Sequence, residues 1–167
     1  MTKPLLFLDV DGPLNPYTAP ASERPEGYST HRMRPTGWKD LRRKPLRVWL
    51  KHSHGADLLA LPYELVWATT WVEEANEWIA PHLGLPELPV VKFGTPGPAG
   101  TALHWKTKDL VAYAAGRDFL WVDDEVTNRD QQYINANHSG RGQAHWVSSR
   151  IGLTDKDFDA IYAWALA

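Results

Sequence analysis

The sequence has no cysteine among its 167 residues, which removes disulfide frameworks, thiol nucleophiles and thiolate metal sites together. Any metal must therefore sit on oxygen or imidazole. Long apolar runs are also missing: none approaches the roughly 20 residues that a membrane-spanning helix needs. The apolar stretch after Met1-Thr2-Lys3-Pro4 ends at Asp9, too short for a secretory signal and with no small-residue cleavage site behind it. The expectation is a soluble, cytoplasmic protein. Internal repeats and low-complexity tracts are absent too, and with 43% hydrophobic and 23% charged residues the chain reads as a single folded domain spanning 1–167.

Net charge is small, at -2, but it is unevenly distributed. Residues 31–54 hold eight of the 18 Lys and Arg and one of the 20 Asp and Glu, so this segment carries +7 and the remainder -9. Such asymmetry marks either a solvated face or a surface for an anionic partner.

Strands and helices are expected to alternate. Leu5-Leu6-Phe7-Leu8 is a continuous apolar run closed by Asp9-Val10-Asp11-Gly12, the pattern of a strand buried on both faces and ended by a turn. Pro13, Pro16, Pro20, Pro25, Pro35 and Pro45 exclude a long helix from the following stretch, because each removes a backbone donor and fixes its own φ. A flap at about 13–52, irregular or β, is expected, with a short strand at Leu46–Leu50. A short helix is predicted from Gly55 to Leu61, a buried strand over 63–68, and a helix from Trp71 to Ile79 that Pro81 ends. A third sheet strand is predicted at Val90–Phe93, a helix over 108–115 closed by Gly116, a fourth strand at Phe119–Val122 and a fifth at 144–148. The last helix opens at Thr154, whose hydroxyl can cap it with Asp157 three residues on. This order implies an α/β fold: a Rossmann-like parallel sheet with helices on both faces.

Ligands in such sheets bind beyond the carboxyl ends of the strands. Three strands end in polar residues there: Asp9 and Asp11, Thr69 and Thr70, Asp123 and Asp124. Each signal alone has a structural explanation in turn or cap chemistry. Together, four carboxylates from two strand ends would repel unless a cation joined them, and oxygen-only donors suit magnesium.

These residues resemble the haloacid dehalogenase-like (HAD) phosphohydrolase superfamily. Its first motif, an apolar strand followed by Asp-x-Asp-Gly, stands at 5–12. A hydrophobic strand ending in Thr matches 65–69, a lysine near a helix start matches Lys106, and a strand ending in paired acids matches 121–124. Thr70 and Lys108 are the alternative registers. Trp67-Ala68-Thr69-Thr70-Trp71 and His104-Trp105-Lys106 are further similar to the small HAD domains of RNA-repair proteins. The resemblance implies a magnesium-dependent phosphomonoesterase in which Asp9 is the nucleophile and forms an aspartyl-phosphate, and Asp11 is the general acid and base. Thr69 would hold a phosphoryl oxygen and Lys106 would supply fixed positive charge. Asp9, Asp123 and Asp124 would hold the metal, with the backbone carbonyl of Asp11.

With only a flap in place of a large cap, the site would admit bulky substrates, so a nucleic-acid end or nucleotide is expected over a small metabolite. Arg42, Arg43, Lys44 and Trp38 are the flap residues expected to meet it, by phosphate pairing and base stacking. Trp49 is read as packing, and His52 and His54 as surface residues. Two other classes stay open: a metal-dependent nuclease in which water attacks directly, and a catalytically silent polyanion-binding module.

Overall fold

The computed structural model describes residues 2–94 and 102–167. Its centre is a four-stranded parallel sheet in the order β4-β1-β5-β6, built from β1 (Leu5–Leu8), β4 (Glu64–Trp67), β5 (Phe119–Asp123) and β6 (Gly142–Trp146). β1 lies between β4 and β5, with Leu8 registered against Trp67 on one side and Val122 on the other. All four of its residues are buried, which is why its sequence is continuously apolar rather than alternating.

Successive residues of β1 serve two cores. Leu6 and Leu8 join Leu65, Trp67, Leu120 and Val122 on one face of the sheet. That face is covered by α1 (Ser53–Ala60), α2 (Glu74–Trp78), α3 (Ala80–Leu83) and α6 (Asp155–Leu166). Leu5 and Phe7 join Val66, Phe119 and Trp121 on the other face, beneath α4 (Thr107–Ala114) and α5 (Asn128–Asn137). The α/β architecture with helices on both faces is thus observed. Between β1 and α1 the flap is an antiparallel hairpin, β2 (Ser29–Met33) paired with β3 (Leu46–Leu50), and a 3-10 turn at Thr36–Trp38 lies in its connection.

Four expectations are corrected. Val90–Phe93 is not a strand: only Val90 bridges to Trp67, the last residue of β4, with the Trp67 N–H donating to the Pro89 carbonyl and the Val91 N–H to the Trp67 carbonyl, both at 2.9 Å. The helix expected over 71–79 is split. Val72 takes a left-handed φ of 51°, α2 starts only at Glu74, and Pro81 sits in the first turn of α3, where its missing N–H costs nothing. α5 was not expected, because just Asp130 and Ile134 of its ten residues are buried and it shows no apolar stripe. His54 is no surface residue: it is 2% exposed, and its Nε2 lies 3.1 Å from the Leu153 carbonyl. His52 is exposed, with its Nδ1 2.8 Å from the His82 carbonyl.

Candidate active site

The carboxyl ends of β1 and β5 lie side by side, joined by the Asp9 N–H donating to the Val122 carbonyl at 3.1 Å. This ladder bond brings Asp9 and Asp123 together. Asp9 is 8% exposed; its Oδ1 accepts from the Val10 N–H at 2.8 Å and its Oδ2 lies 3.2 Å from Lys106 Nζ. Asp123 is 1% exposed, with Oδ2 2.7 Å from the same Nζ and Oδ1 accepting from the Glu125 N–H at 3.0 Å. Lys106 thus sits between the two acids, itself only 3% exposed, whereas Lys108 points to solvent. Asp124 completes an acidic group with Asp9 and Asp123 whose ligand atoms all lie within 4.8 Å of one another. Its Oδ2 accepts from the Tyr17 hydroxyl at 3.1 Å.

Asp11 stands apart from that group. Its Oδ1 accepts from the Asn15 side-chain amide at 2.9 Å and its Oδ2 from the Trp71 indole N–H at 3.1 Å. The turn that aims it is closed by Gly12 at φ 103°, where a Cβ would come within 2.6 Å of the Asp124 side chain, so this position requires glycine. Thr69 is fully buried and its Oγ1 accepts from the Trp71 N–H at 3.2 Å; Thr70, not Thr69, faces the cavity in front of the acids.

Electrostatics follow from this crowding. Burial pushes the Asp9 carboxyl well above the usual carboxylate range; Lys106 opposes the shift and the charges of Asp123 and Asp11 add to it. Burial acts on Asp123 as well, but the Lys106 charge and hydrogen bond outweigh it and hold that carboxyl below its ordinary value. Burial and the Asp123 charge raise Asp124 to about 7. Lys106 is held in its charged form: burial disfavours the ammonium, but Asp9 and Asp123 more than compensate. The raised Asp9 and Asp124 carboxyls mark a site with too little positive charge for its acids, and the donors are all carboxylate oxygens. That donor set fits a hard divalent cation such as magnesium.

A cavity of 1110 Å³ opens in front of the acids. Asp9, Asp11, Asp124, Thr70 and Lys106 form its floor; Tyr17, Trp71, Trp105 and Trp38 are among its walls, and Arg32 and Arg47 of the hairpin also line it. Of the flap residues expected to meet substrate, only Trp38 does line it. Arg42 turns its guanidinium to Asp40 at 3.1 Å, Arg43 donates to the Gly37 carbonyl at 3.2 Å, and Lys44 is exposed away from the lining.

Several residues that shape the site escaped the sequence reading. Asn15, 2% exposed, donates to Asp11 and accepts from the Trp49 N–H at 3.0 Å, tying β3 to the first motif. Asp130, fully buried, accepts from the His104 N–H at 2.8 Å and the Thr107 hydroxyl at 2.7 Å, and with its other oxygen from the Thr127 N–H. It thereby locks the start of α4, and with it Lys106, to the capping box of α5. The signal available for Asp130 was Thr127-x-x-Asp130, a capping pattern once α5 is recognised.

A central strand ending in Asp-x-Asp-Gly, paired acids on the neighbouring strand and a buried lysine between them define a hydrolase of the haloacid dehalogenase-like class. Within it, the chain belongs to the family described as HAD domain in Swiss Army Knife RNA repair proteins, whose model matches residues 5–158. No curated protein and no solved structure gives a significant match.

Proposed function

We propose that the protein is a magnesium-dependent phosphomonoesterase that removes phosphate from a nucleic-acid end or nucleotide through an aspartyl-phosphate on Asp9. The observation that carries this reading is the trio of buried Asp9 and Asp123 with half-buried Asp124, converging within 4.8 Å beside an ammonium only 3% exposed. An Asp9 carboxylate oxygen attacks phosphorus, the bond from phosphorus to the leaving ester oxygen breaks, and that oxygen takes a proton from Asp11. Asp11, now a carboxylate, takes a proton from water as the water oxygen bonds to phosphorus. Inorganic phosphate leaves and the Asp9 carboxylate is restored. The bonds from Asn15 and Trp71 hold Asp11 in place for both transfers.

Lys106 would set fixed positive charge beside the phosphoryl oxygens, and Thr70, the threonine that lines the cavity, would donate its hydroxyl to one of them. Thr69, fully buried beside it, holds the Trp71 N–H through its Oγ1. Asp9, Asp123 and Asp124, with the Asp11 carbonyl, are the residues that would hold magnesium. When bound, the metal supplies charge neutralisation between the anionic nucleophile and the anionic ester.

Two observations favour a nucleic-acid end or nucleotide as substrate. The 1110 Å³ cavity exceeds what a phosphoryl group needs, and its aromatic walls suit a base. The family name places related domains in RNA-repair proteins.

The test is phosphate release from nucleotides, sugar phosphates and 3′- or 5′-phosphorylated oligonucleotides, with and without magnesium, alongside beryllium trifluoride trapping. Magnesium-dependent release and an adduct on Asp9 are expected. Cleavage at internal phosphodiesters with no adduct would identify a nuclease instead, and binding without any turnover a silent polyanion module.

A further inference from the structure

We infer that Arg32 and Arg47 form a subsite for a second phosphate of the substrate, the one nearest the scissile phosphate in a nucleic-acid end. The inference rests on the phosphomonoesterase reading for the position of the scissile group, and on independent geometry for the subsite.

Arg32 on β2 and Arg47 on β3 are direct cross-strand partners, and both line the cavity that contains Asp9 and Lys106. Like charges placed directly opposite each other on neighbouring strands weaken a hairpin. Among the described residues, neither side chain has an acidic partner or a hydrogen bond that would offset this. Other arginines of the hairpin are neutralised locally. Arg34 donates to the carbonyls of Trp38, Asp40 and Arg43, and Arg42 pairs with Asp40. Among the described arginines of the hairpin, the two left without such partners are the two that line the cavity.

Arg47 is also mounted. Its guanidinium carbon lies 3.6 Å from the centre of the Trp49 ring, and that ring is anchored by its indole N–H donating to Thr30 Oγ1 at 3.0 Å. Stacking of this kind uses the face of the guanidinium and leaves its N–H edge free for oxygen ligands. Two forked donors on directly opposed positions of one cavity wall suit the oxygens of a phosphate better than any neutral group. Trp38, also on the cavity wall, offers an aromatic face for the base attached to that phosphate.

A second phosphate occurs as the internucleotide diester of a phosphorylated oligonucleotide or as the second ester of a nucleoside bisphosphate, so the experiment carries both. Steady-state kcat/KM would be measured for a terminally phosphorylated dinucleotide, a nucleoside 3′,5′-bisphosphate, a nucleoside monophosphate and an aryl phosphate. The enzymes would be the wild-type chain, Arg32→Gln and Arg32→Gln/Arg47→Gln. The wild type should prefer the two-phosphate substrates, and the ratio of their kcat/KM to that of the aryl phosphate should fall at least about tenfold in the double variant. If the dinucleotide alone shows the fall, the source is the internucleotide diester; if the bisphosphate shows it equally, any second phosphate suffices. A ratio within twofold of wild type, or no wild-type preference, overturns the subsite.

Arg32 is exposed, so the single variant keeps the test open should the double variant fail to fold. If the wild type hydrolyses none of these esters, the phosphomonoesterase reading fails separately. Fluorescence anisotropy with a labelled, terminally phosphorylated dinucleotide then decides the subsite: binding at least about tenfold weaker in the variant supports it, and equal binding overturns it.

Discussion

The floor and the hairpin wall of the cavity face each other but are built on opposite rules. On the floor, Asp9, Asp123 and Lys106 are buried and satisfy one another: Lys106 reaches both carboxylates, backbone N–H groups hold the remaining oxygens, and Asp130 fixes the helix that delivers the lysine. On the wall, Arg32 is exposed, Arg47 is half-buried, and the two stand opposite each other with no acid between them. A closed network resists displacement and sets a geometry. Open cationic edges keep their donors available for an incoming group. In the function proposed here the sheet breaks the bond and the insertion selects the substrate, and each prediction below would be out of place if that division were wrong.

The largest effect is expected from Asp9→Asn, which keeps the shape of the floor and removes the proposed nucleophile. Turnover should fall at least about a thousandfold on every phosphate ester, large or small, as measured by phosphate release. A loss confined to oligonucleotides would dissolve the division of labour. Lys106→Met comes next, with a loss on the order of a hundredfold or more in kcat, because the fixed charge beside the reacting phosphoryl group is gone. Lys108→Met, exposed on the same helix, should stay within about twofold, as surface changes commonly do. The reverse ranking would move the motif by two residues.

Stability tests the seam between the two regions. His54 lies under the hairpin between Tyr28 and Phe158, with ring centres 5.8 Å and 5.7 Å away. Burial, with help from the Lys51 charge, lowers its pKa from 6.5 to about 4. The fold favours the neutral ring, so this contribution is complete above pH 6.5 and is lost as pH falls through 4. The shift amounts to about 3 kcal/mol. Denaturant titrations at pH 7 and pH 4 should show a larger acid loss for wild type than for His54→Gln; equal losses would mean that the ring carries no such penalty.

Asn15→Ala should cost about 1–3 kcal/mol, since it strands the buried Trp49 N–H and frees the Asp11 carboxylate on one side. Its kcat should drop for aryl phosphates and oligonucleotides alike, because it acts through Asp11. The smallest effect belongs to charge reversal of Arg42, Arg43 and Lys44 to Glu. Although it changes more charge than any single substitution, these side chains lie off the cavity lining, and at physiological salt their field is screened beyond about 8 Å. Its effect on oligonucleotide KM should be smaller than that of Arg32→Gln; a larger one would relocate substrate binding to the hairpin tip.

The floor was legible in the sequence and the wall was not, for a physical reason. A parallel strand buried on both faces is a continuous apolar run, and the first acid at its carboxyl end sits where ligands bind, so Asp9 and Asp123 follow from linear pattern alone. Arg32 and Arg47 are brought together only by hairpin register, which no local window contains. A count of charges instead drew attention to Arg42-Arg43-Lys44, where basic residues are consecutive, although they occupy the turn. Asn15 and Trp71 resemble ordinary loop residues until their bonds to Asp11 are seen. The edge segment at Val90 failed for the opposite reason: its apolar run is strand-like, but the neighbouring strand ends at Trp67, so a single bridge forms and no ladder follows.

The position of β1 between β4 and β5 also governs when the site can exist. Leu5 pairs with Glu64 on one side and with Phe119, 114 residues along the chain, on the other. Closing so long a loop is slow compared with forming the helices, whose contacts are local. During refolding from denaturant, helical circular dichroism should therefore return first and phosphatase activity last, with the delay set by docking of the Phe119–Asp123 strand. Recovered turnover is then a clock for the most distant strand pairing among the described residues, and a substitution that slows that pairing alone would lengthen the lag without changing the final rate.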